Sequence, residues 1–368
     1  MEVVAAAAAP APGGGGSDPK VAYSDHTRIA AVAEDEERRR PGPRRSPHHS
    51  LMAARRNVIR LQQLLQRTVA RTDRTVPAME LTQELWTDLL PRLKYVLSDC
   101  DGVLWHVNTP INGANDTFRE LRKRGLKLGF VTNNSSRTKD QLAEKFHSLN
   151  FDVHPQEIFC VNNLTVQYLR SRNVTGRVYM IGTESLQTEL EDAGFVCNAA
   201  GPDRLDGHWQ SWLGMDIDDD VEAVVIGFDY HFSMSKVCRA VTYLQNPNCH
   251  FVAVEADRCI PNYTGSGVVL PSTGAILAAV EASANRRAVV IGKPTNTMGE
   301  MIRRVYPDLR PDNTLFIGDY LDTDIEFGLR NGFTTLLVET GIHNRKHISS
   351  TRPTFYTETV HDLFTFMS

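Results

Sequence analysis

Apolar residues recur in short runs that predict alternating helices and strands from about residue 80 to the C-terminus. Leucines at helical spacing indicate a helix over 81–90, and a second helix over 138–149 begins with Thr138 and Gln141 as a capping box. Buried strands are predicted at 95–98, 126–131, 178–181, 223–226, 251–254, 288–291, 314–317 and 334–338. This alternation is typical of an α/β fold with a mostly parallel sheet, whose functional side chains lie at the carboxyl ends of the strands.

Two carboxylates follow the first predicted strand. Asp99 and Asp101 are two positions apart, so in an extended chain both side chains leave on one side, roughly 6.6 Å apart. A calcium loop is excluded, because its fifth and twelfth positions would be Val103 and Pro110, whose side chains offer no ligand oxygen. Placement after a buried strand therefore favours a catalytic pair.

The second predicted strand is followed by Thr132, Asn133 and Asn134. A hydroxyl and two amides at a strand end suit phosphate oxygens, although an ordinary strand-to-helix turn has a similar composition.

Charged residues follow two later strands. Lys293 comes after the strand at 288–291, where a positive charge would neutralise an anionic transition state. Asp319, Asp322 and Asp324 follow the strand at 314–317, and three carboxylates in six positions indicate a site for a hard cation.

The order of these clusters resembles the haloacid dehalogenase (HAD) superfamily of phosphotransferases. Within it, the chain is most similar to the group of phosphoglycolate phosphatase and pyridoxal phosphatase (chronophin), formerly called 4-nitrophenylphosphatases. The similar motifs are Asp99-Cys-Asp-Gly-Val-Leu-Trp105, Thr132-Asn-Asn-Ser-Ser136, Pro271-Ser-Thr-Gly274, Gly292-Lys-Pro294 and the segment 318–324. The resemblance covers about residue 80 to the C-terminus and nothing before it.

This resemblance implies a HAD-type Rossmann-like parallel-sheet core, with a large α/β cap inserted between the second and third motifs. The expected division is an N-terminal extension at 1–79, a first part of the core at 80–174, the cap at 175–286 and a second part of the core at 287–368.

The resemblance also implies roles for the site residues. Asp99 would be the nucleophile that forms an aspartyl-phosphate, and Asp101 the general acid and base. Thr132, Asn133, Asn134 and Lys293 would hold the phosphate. Mg²⁺ would bind the Asp99 carboxylate, the Asp101 main-chain carbonyl and Asp319, with Asp324 supporting these ligands without binding the metal.

The match departs from the group at three places that concern selectivity. Glu255-Ala256-Asp257 stands where relatives usually carry a Thr-Asn pair before the Asp, and Ile260 replaces a substrate-contacting His. Tyr320 replaces a common Arg, which removes a positive charge near the site. Ile260 argues against pyridoxal phosphate as the substrate, and the Glu255-Ala256 departure leaves it open whether phosphoglycolate is the substrate.

The implied activity is therefore Mg²⁺-dependent hydrolysis of a small phosphorylated metabolite, such as 2-phosphoglycolate or glycerol 3-phosphate, by a homodimer formed through the cap. Two other interpretations stay open, namely a phosphoprotein phosphatase and a catalytically weak scaffold recruited by a basic N-terminal segment. The scaffold interpretation is disfavoured, because a scaffold would need none of the residues Asp99, Asp101, Thr132, Lys293 and Asp319, which occur here together.

Composition limits the partners and the compartment. The 368 residues carry 40 Lys and Arg against 44 Asp and Glu, a net charge of -4, which argues against nucleic acid as the main partner. The six cysteines form no C-x-x-C pair or zinc-type cluster and indicate reduced thiols in a cytoplasmic protein. No apolar run reaches the roughly 18 residues of a spanning helix.

Residues 1–79 differ from the rest of the chain. Low complexity up to about residue 50 predicts disorder, and 38–72 holds ten arginines without a lysine or an acidic residue. Within 52–72, four arginines share one face of a helix and apolar residues share the other, as in a mitochondrial presequence or a membrane-surface segment. Met52 would then be a second start, and a basic tail with accidental periodicity is the alternative.

A reporter fusion tests the targeting hypothesis. Residues 52–79 joined to a fluorescent protein should direct it to mitochondria or to a membrane, because the arginine face would bind anionic lipid. Imaging in cells measures this, and a diffuse cytosolic signal would exclude targeting by this segment.

Overall fold

The computed structural model describes residues 77–261 and 266–368. The predictions for the N-terminal extension, including disorder and the amphipathic segment at 52–72, therefore lie outside the described residues, except at its very end. There Met79 belongs to the fold, because its strand adds to a sheet edge and pairs in parallel with Phe355. The boundary at 79 is corrected accordingly. None of the helices in the described ranges is long and apolar enough to cross a membrane.

The main sheet has seven strands, and every pair of neighbours in it is parallel. In spatial order the strands are β1 (Met79–Glu80), β15 (Phe355–Thr357), β14 (Thr334–Val338), β13 (Thr314–Gly318), β2 (Tyr95–Ser98), β5 (Lys127–Thr132) and β6 (Ile158–Cys160). Ser98 of β2 lies opposite Ile317 on one side and Phe130 on the other. The residues that follow β2, β5 and β13 therefore leave the sheet side by side.

A second sheet of four parallel strands forms the centre of the inserted unit. Its order is β12 (Val289–Val290), β9 (His250–Ala253), β8 (Val221–Ile226) and β7 (Arg177–Ile181). We call residues 177–290 the cap. The sequence division placed 287 onwards in the core, but β12 pairs with β9, so the cap sheet extends past the predicted boundary at 286. The chain completes the cap sheet before it returns to the core.

Two short antiparallel hairpins complete the strands, β3 (Trp105–His106) with β4 (Thr109–Pro110), and β10 (Cys259–Ile260) with β11 (Leu270–Pro271). The α-helices are Gln83–Leu89, Ala114–Lys123, Lys139–Ser148, Val161–Ser171, Glu184–Asp192, Trp209–Trp212, Met234–Tyr243, Thr273–Ala284, Asn296–Val305, Glu326–Arg330 and His361–Met367. A single π-helical turn, Leu321–Ile325, precedes the helix at Glu326. The capping box predicted at Thr138 and Gln141 is confirmed, with both reciprocal hydrogen bonds present.

An aromatic cluster lies beneath β2 and β5 and connects the core to the site. The ring of Trp105 packs edge-on against Phe146 at a centroid distance of 4.8 Å and against Phe151 at 5.7 Å, while Phe130 lies 4.8 Å from Phe146. Trp105, Phe130 and Phe146 are almost completely buried. Each such ring contributes on the order of 2–3 kcal/mol through burial, so the loop after β2 is anchored by Trp105.

Candidate active site

Four segments bring their polar residues to one edge of the main sheet. Asp99 follows β2, and its N–H donates to the carbonyl of Ile317 in the neighbouring β13. Thr132 ends β5, Asp319 follows β13, and Lys293 enters from the chain just after β12. The predicted convergence of these clusters is therefore present in the structure.

Lys293 lies at the centre of this edge and is almost completely buried. Its Nζ is 2.6 Å from Asp99 Oδ1, 2.8 Å from Asp324 Oδ1 and 2.9 Å from the carbonyl oxygen of Val131. Burial alone would lower the pKa of Lys293, but Asp324 and Asp99 outweigh it and raise that pKa above its usual value. The side chain therefore carries a permanent positive charge beside Asp99.

Asp324 is buried and binds both Lys293 and the backbone of the turn after β13. Its Oδ2 accepts hydrogen bonds from the backbone N–H groups of Asp319 and Tyr320, each at 3.1 Å, while its other oxygen faces Lys293. The carboxylate therefore holds the turn that carries Asp319. Asp322, the third acid of this segment, is exposed and does not join the cluster.

The carboxylates of Asp99, Asp319 and Asp324 form a compact acidic group, with one oxygen of each within 4.8 Å of the others. Burial and the charge of Asp324 raise the pKa of Asp99 to about 7, and the same two causes raise the pKa of Asp319 well above its usual range. Three carboxylates against one ammonium suit a divalent cation with a preference for oxygen ligands. Because both oxygens of Asp324 have protein partners, Asp99 and Asp319 are the carboxylates that fit such a cation.

The backbone around Asp319 leaves no room for larger residues. Gly102 has φ +89°, a conformation that favours glycine, and a Cβ at this position would overlap the Asp319 carboxylate. A Cβ at Gly341 would overlap the same group from another side. The close approach of these two glycines confines the Asp319 side chain.

The side chains of Trp105 and Lys145 orient Asp101. The indole Nε1–H of Trp105 donates to Asp101 Oδ1 at 2.9 Å, and the Nζ of Lys145 lies 3.7 Å from the same oxygen. The amide of Asn134 approaches the other oxygen, Oδ2, at 3.5 Å. Lys145 was missed because it lies within a helix, where its sequence neighbours give no sign that the helix reaches the site.

Asn133 joins the two halves of the molecule. Its Oδ1 accepts the Lys293 backbone N–H at 2.8 Å, and its Nδ2 donates to the Lys293 carbonyl at 3.0 Å and to Asp257 Oδ2 of the cap at 3.1 Å. The sequence predicts Asn133 to be a phosphate ligand, whereas in the structure its side-chain amide binds Lys293 and the cap. Thr132 accepts the N–H of Asn134 at 3.0 Å, which leaves its hydroxyl hydrogen able to donate.

A cavity of about 370 Å³ covers this edge, and the cap lines its other side. The core lines it with the predicted residues Asp99, Asp101, Thr132, Asn133, Asn134, Lys293 and Asp319, together with Arg137 and Lys145. The cap lines it with Phe228, Tyr230, Glu255, Asp257, Cys259, Ile260, Pro261 and Ser272. The described part of the cap wall thus includes two carboxyl groups and no Lys or Arg.

Comparison with known proteins identifies the family. The model described as haloacid dehalogenase-like hydrolase matches residues 96–196, and one described as HAD-hydrolase-like matches residues 290–363. A glycerol-3-phosphate phosphatase from Mus musculus is 38% identical over 296 residues, which cover 75% of this chain and 91% of that relative. The chain belongs to the haloacid dehalogenase-like hydrolases. It is a phosphoric monoester hydrolase of that family, as predicted.

Other relatives agree with this assignment. Chronophin from Homo sapiens is 35% identical over 290 residues, covering 75% of this chain and 94% of that protein. The p-nitrophenyl phosphatase from Archaeoglobus fulgidus superposes with a TM-score of 0.64 at 25% identity, covering 75% of this chain and 99% of the other. The predicted HAD-type parallel-sheet core with a cap is confirmed.

The acidic cluster predicts an unusual dependence of stability on pH. In metal-free protein, the folded Asp99 holds its proton up to about pH 7, whereas an unfolded aspartate releases it near 3.8, so this group loses stabilisation as pH rises between these values. Asp99→Asn should therefore melt at a higher temperature than the wild type at pH 8 in chelator, by a difference on the order of 5 °C.

Thermal melting at pH 5 and pH 8 measures this difference, which should shrink at the lower pH. The exposed Asp219→Asn is the control and should follow the wild type at both pH values. A lower melting temperature for Asp99→Asn at pH 8 would contradict the assigned repulsion among the carboxylates.

Proposed function

We propose that the protein is a Mg²⁺-dependent phosphatase that hydrolyses a small-molecule phosphate monoester through an aspartyl-phosphate on Asp99. The observation that carries this proposal is that Asp99 contacts the buried cation Lys293 and also belongs to the acidic group that suits a metal. With a metal bound there, the Asp99 carboxylate would lie between two positive charges, which would offset its repulsion of the dianionic ester as it attacks phosphorus.

The reaction proceeds in two steps. The Asp99 carboxylate forms a bond to phosphorus as the ester P–O bond breaks, and Asp101 gives its proton to the departing alkoxide. Asp101 then accepts a proton from water as the water oxygen attacks phosphorus, which releases inorganic phosphate and restores Asp99. Mg²⁺ bound by Asp99 and Asp319 would supply positive charge for the phosphoryl oxygens.

Lys293 acts through its charge and through position. The Nζ of Lys293 contacts Asp99, Asp324 and the carbonyl oxygen of Val131. The ammonium therefore holds the nucleophile in position and stabilises negative charge that develops nearby. The hydroxyl of Thr132 and the backbone that follows it are suited to bind phosphoryl oxygens.

The mechanism predicts that Asp99→Asn abolishes turnover of 4-nitrophenyl phosphate in a folded protein, by a factor of about 10⁴ or more, because no acyl phosphate forms on an amide. Chelation of Mg²⁺ should stop the wild type, and added Mg²⁺ should restore it. Release of nitrophenolate measures both effects, with circular dichroism as the folding control. Full activity in Asp99→Asn would refute the nucleophile, and activity in chelator would refute the metal.

The cap wall supports a choice between the two substrate types implied by the sequence. Glu255 is buried, accepts hydrogen bonds from Ser272 Oγ at 3.3 Å and from the Asp257 N–H, and lines the cavity with Asp257. Burial and the neighbouring Asp257 raise the pKa of Glu255 to about 8, and burial also raises the pKa of Asp257. Once Glu255 has lost its proton, a carboxylate on the leaving group would meet like charge there, whereas hydroxyl groups would find acceptors.

We therefore favour a hydroxylated leaving group, as in glycerol 3-phosphate, over 2-phosphoglycolate. The relatives named glycerol-3-phosphate phosphatase, at 34–38% identity, support this choice. The homodimer through the cap and the cytoplasmic location stay predictions.

Substrate preference should depend on Glu255. In the wild type, the ratio of kcat/KM for glycerol 3-phosphate over 2-phosphoglycolate should increase from pH 7 to pH 9, because Glu255 loses its proton near pH 8 and then repels the second anion. Glu255→Gln should lower this ratio at pH 9 by roughly 10-fold, since one charge repulsion is removed.

Phosphate release from both esters at both pH values measures the ratio. The exposed Glu300→Gln is the matched control and should keep the wild-type ratio. A preference for 2-phosphoglycolate in the wild type would overturn the substrate assignment and leave the phosphatase mechanism intact.

A further inference from the structure

Lys145 is a buried residue beside the reacting groups, and the proposed reaction steps assign it no role. Its side chain is only 8% exposed, and it projects into the cavity from the helix Lys139–Ser148. Burying an ammonium is unfavourable unless nearby groups compensate it. Its neighbours are therefore the guide to its role.

Asp101 and Trp105, which follow β2 in the chain, both compensate the charge of the Lys145 ammonium. The Nζ lies 3.7 Å from Asp101 Oδ1 and 4.3 Å from the centre of the Trp105 ring. The second distance is that of a cation–π contact, which is strongest when the cation is shielded from water. The indole of the same Trp105 donates to the same oxygen of Asp101.

Trp105 and Lys145 thus contact each other and face the same oxygen of Asp101, Trp105 through a hydrogen bond and Lys145 through its charge. Oδ1 accepts the Trp105 hydrogen bond at 2.9 Å and faces the Lys145 ammonium at 3.7 Å, whereas the contact of Oδ2 within the described part of the chain is a long one, with the neutral amide of Asn134 at 3.5 Å. Trp105 is itself fixed by the aromatic cluster, and Phe146, adjacent to Lys145 in the helix, packs on its ring. The rigid core therefore determines the direction of the Asp101 carboxyl.

We propose that Lys145 is a positioning residue for Asp101: with Trp105 it holds Oδ1, so that Oδ2 carries the proton that passes to the leaving oxygen. This rests on the proposed role of Asp101. In the transfer, the Oδ2–H bond breaks as the ester oxygen leaves phosphorus and takes that proton. Water returns a proton to Oδ2 in the second step, so the carboxyl is unchanged after a full cycle.

Leaving-group dependence separates this role from a structural one. Glycerol 3-phosphate releases a basic alkoxide that needs a proton, whereas 4-nitrophenyl phosphate releases a stable anion that does not. The parameter to compare is kcat/KM, because it covers the steps up to cleavage of the ester bond and excludes hydrolysis of the intermediate.

Lys145→Met should lower kcat/KM for glycerol 3-phosphate by about 10² and for 4-nitrophenyl phosphate by less than about 3-fold, since general acid catalysis is worth 10²–10⁴. Lys145→Arg should restore most of the loss, because Arg also stacks on an indole and donates to a carboxylate. The exposed Lys123→Met is the matched control and should leave both substrates unaffected.

Asp101→Asn is measured alongside to distinguish the possible failures. If Asp101→Asn slows both esters equally, the role of Asp101 is wrong and the proposal falls with it. If Asp101→Asn shows leaving-group dependence and Lys145→Met does not, only the proposal on Lys145 is wrong. A rise in KM with unchanged kcat in Lys145→Met would likewise overturn it, in favour of direct substrate contact.

A second variant covers the case in which Lys145→Met does not fold. Trp105→Phe keeps an aromatic ring but removes the Nε1–H donor. It should therefore lower kcat/KM more for glycerol 3-phosphate than for 4-nitrophenyl phosphate, with a smaller difference than in Lys145→Met. Equal loss on both esters in a folded Trp105→Phe would contradict the proposal.

Discussion

The ion pairs of Lys293 with Asp99 and Asp324 are the interactions on which the rest of the site depends. A buried charge is unfavourable by several kcal/mol unless a partner compensates it, and here one ammonium lies between two carboxylates at 2.6 and 2.8 Å. A third acid, Asp319, remains in excess in the same interior. The fold thus places three acidic groups against one ammonium at the end of its central strands, a set that suits a divalent cation.

Most of the core could be predicted from the sequence, because its strands and helices are marked by patterns of neighbouring residues. The strands at 95–98 and 334–338 have the predicted bounds, and parallel pairing follows from their alternation with helices. The run at 288–291 was recognised as a strand, but an apolar run does not specify which sheet it joins, and it completes the cap. The place of Lys145 in the site could not be predicted from the sequence. It depends on the contact between two segments about forty residues apart in the chain, and a helical pattern carries no information about such contacts.

Asn133 shows the same limit within a predicted motif. Its position after a strand indicated the site correctly, yet its partners are Lys293 and Asp257, which lie far along the chain. Residue type and placement thus indicate where a side chain lies, while its hydrogen-bond partners depend on the tertiary fold. The Asn133 amide also connects Lys293, which contacts Asp99, to Asp257 in the cap wall of the cavity.

The two glycines that enclose Asp319 have a consequence for protein engineering. Gly102 and Gly341 leave no space for even one methyl group beside this carboxylate, so a side chain at either position would displace Asp319. Glu255 and its neighbours lie on a separate chain segment across a cavity of about 370 Å³. A library aimed at new substrates would therefore vary the cap wall alone, and each member would inherit the same reaction chemistry.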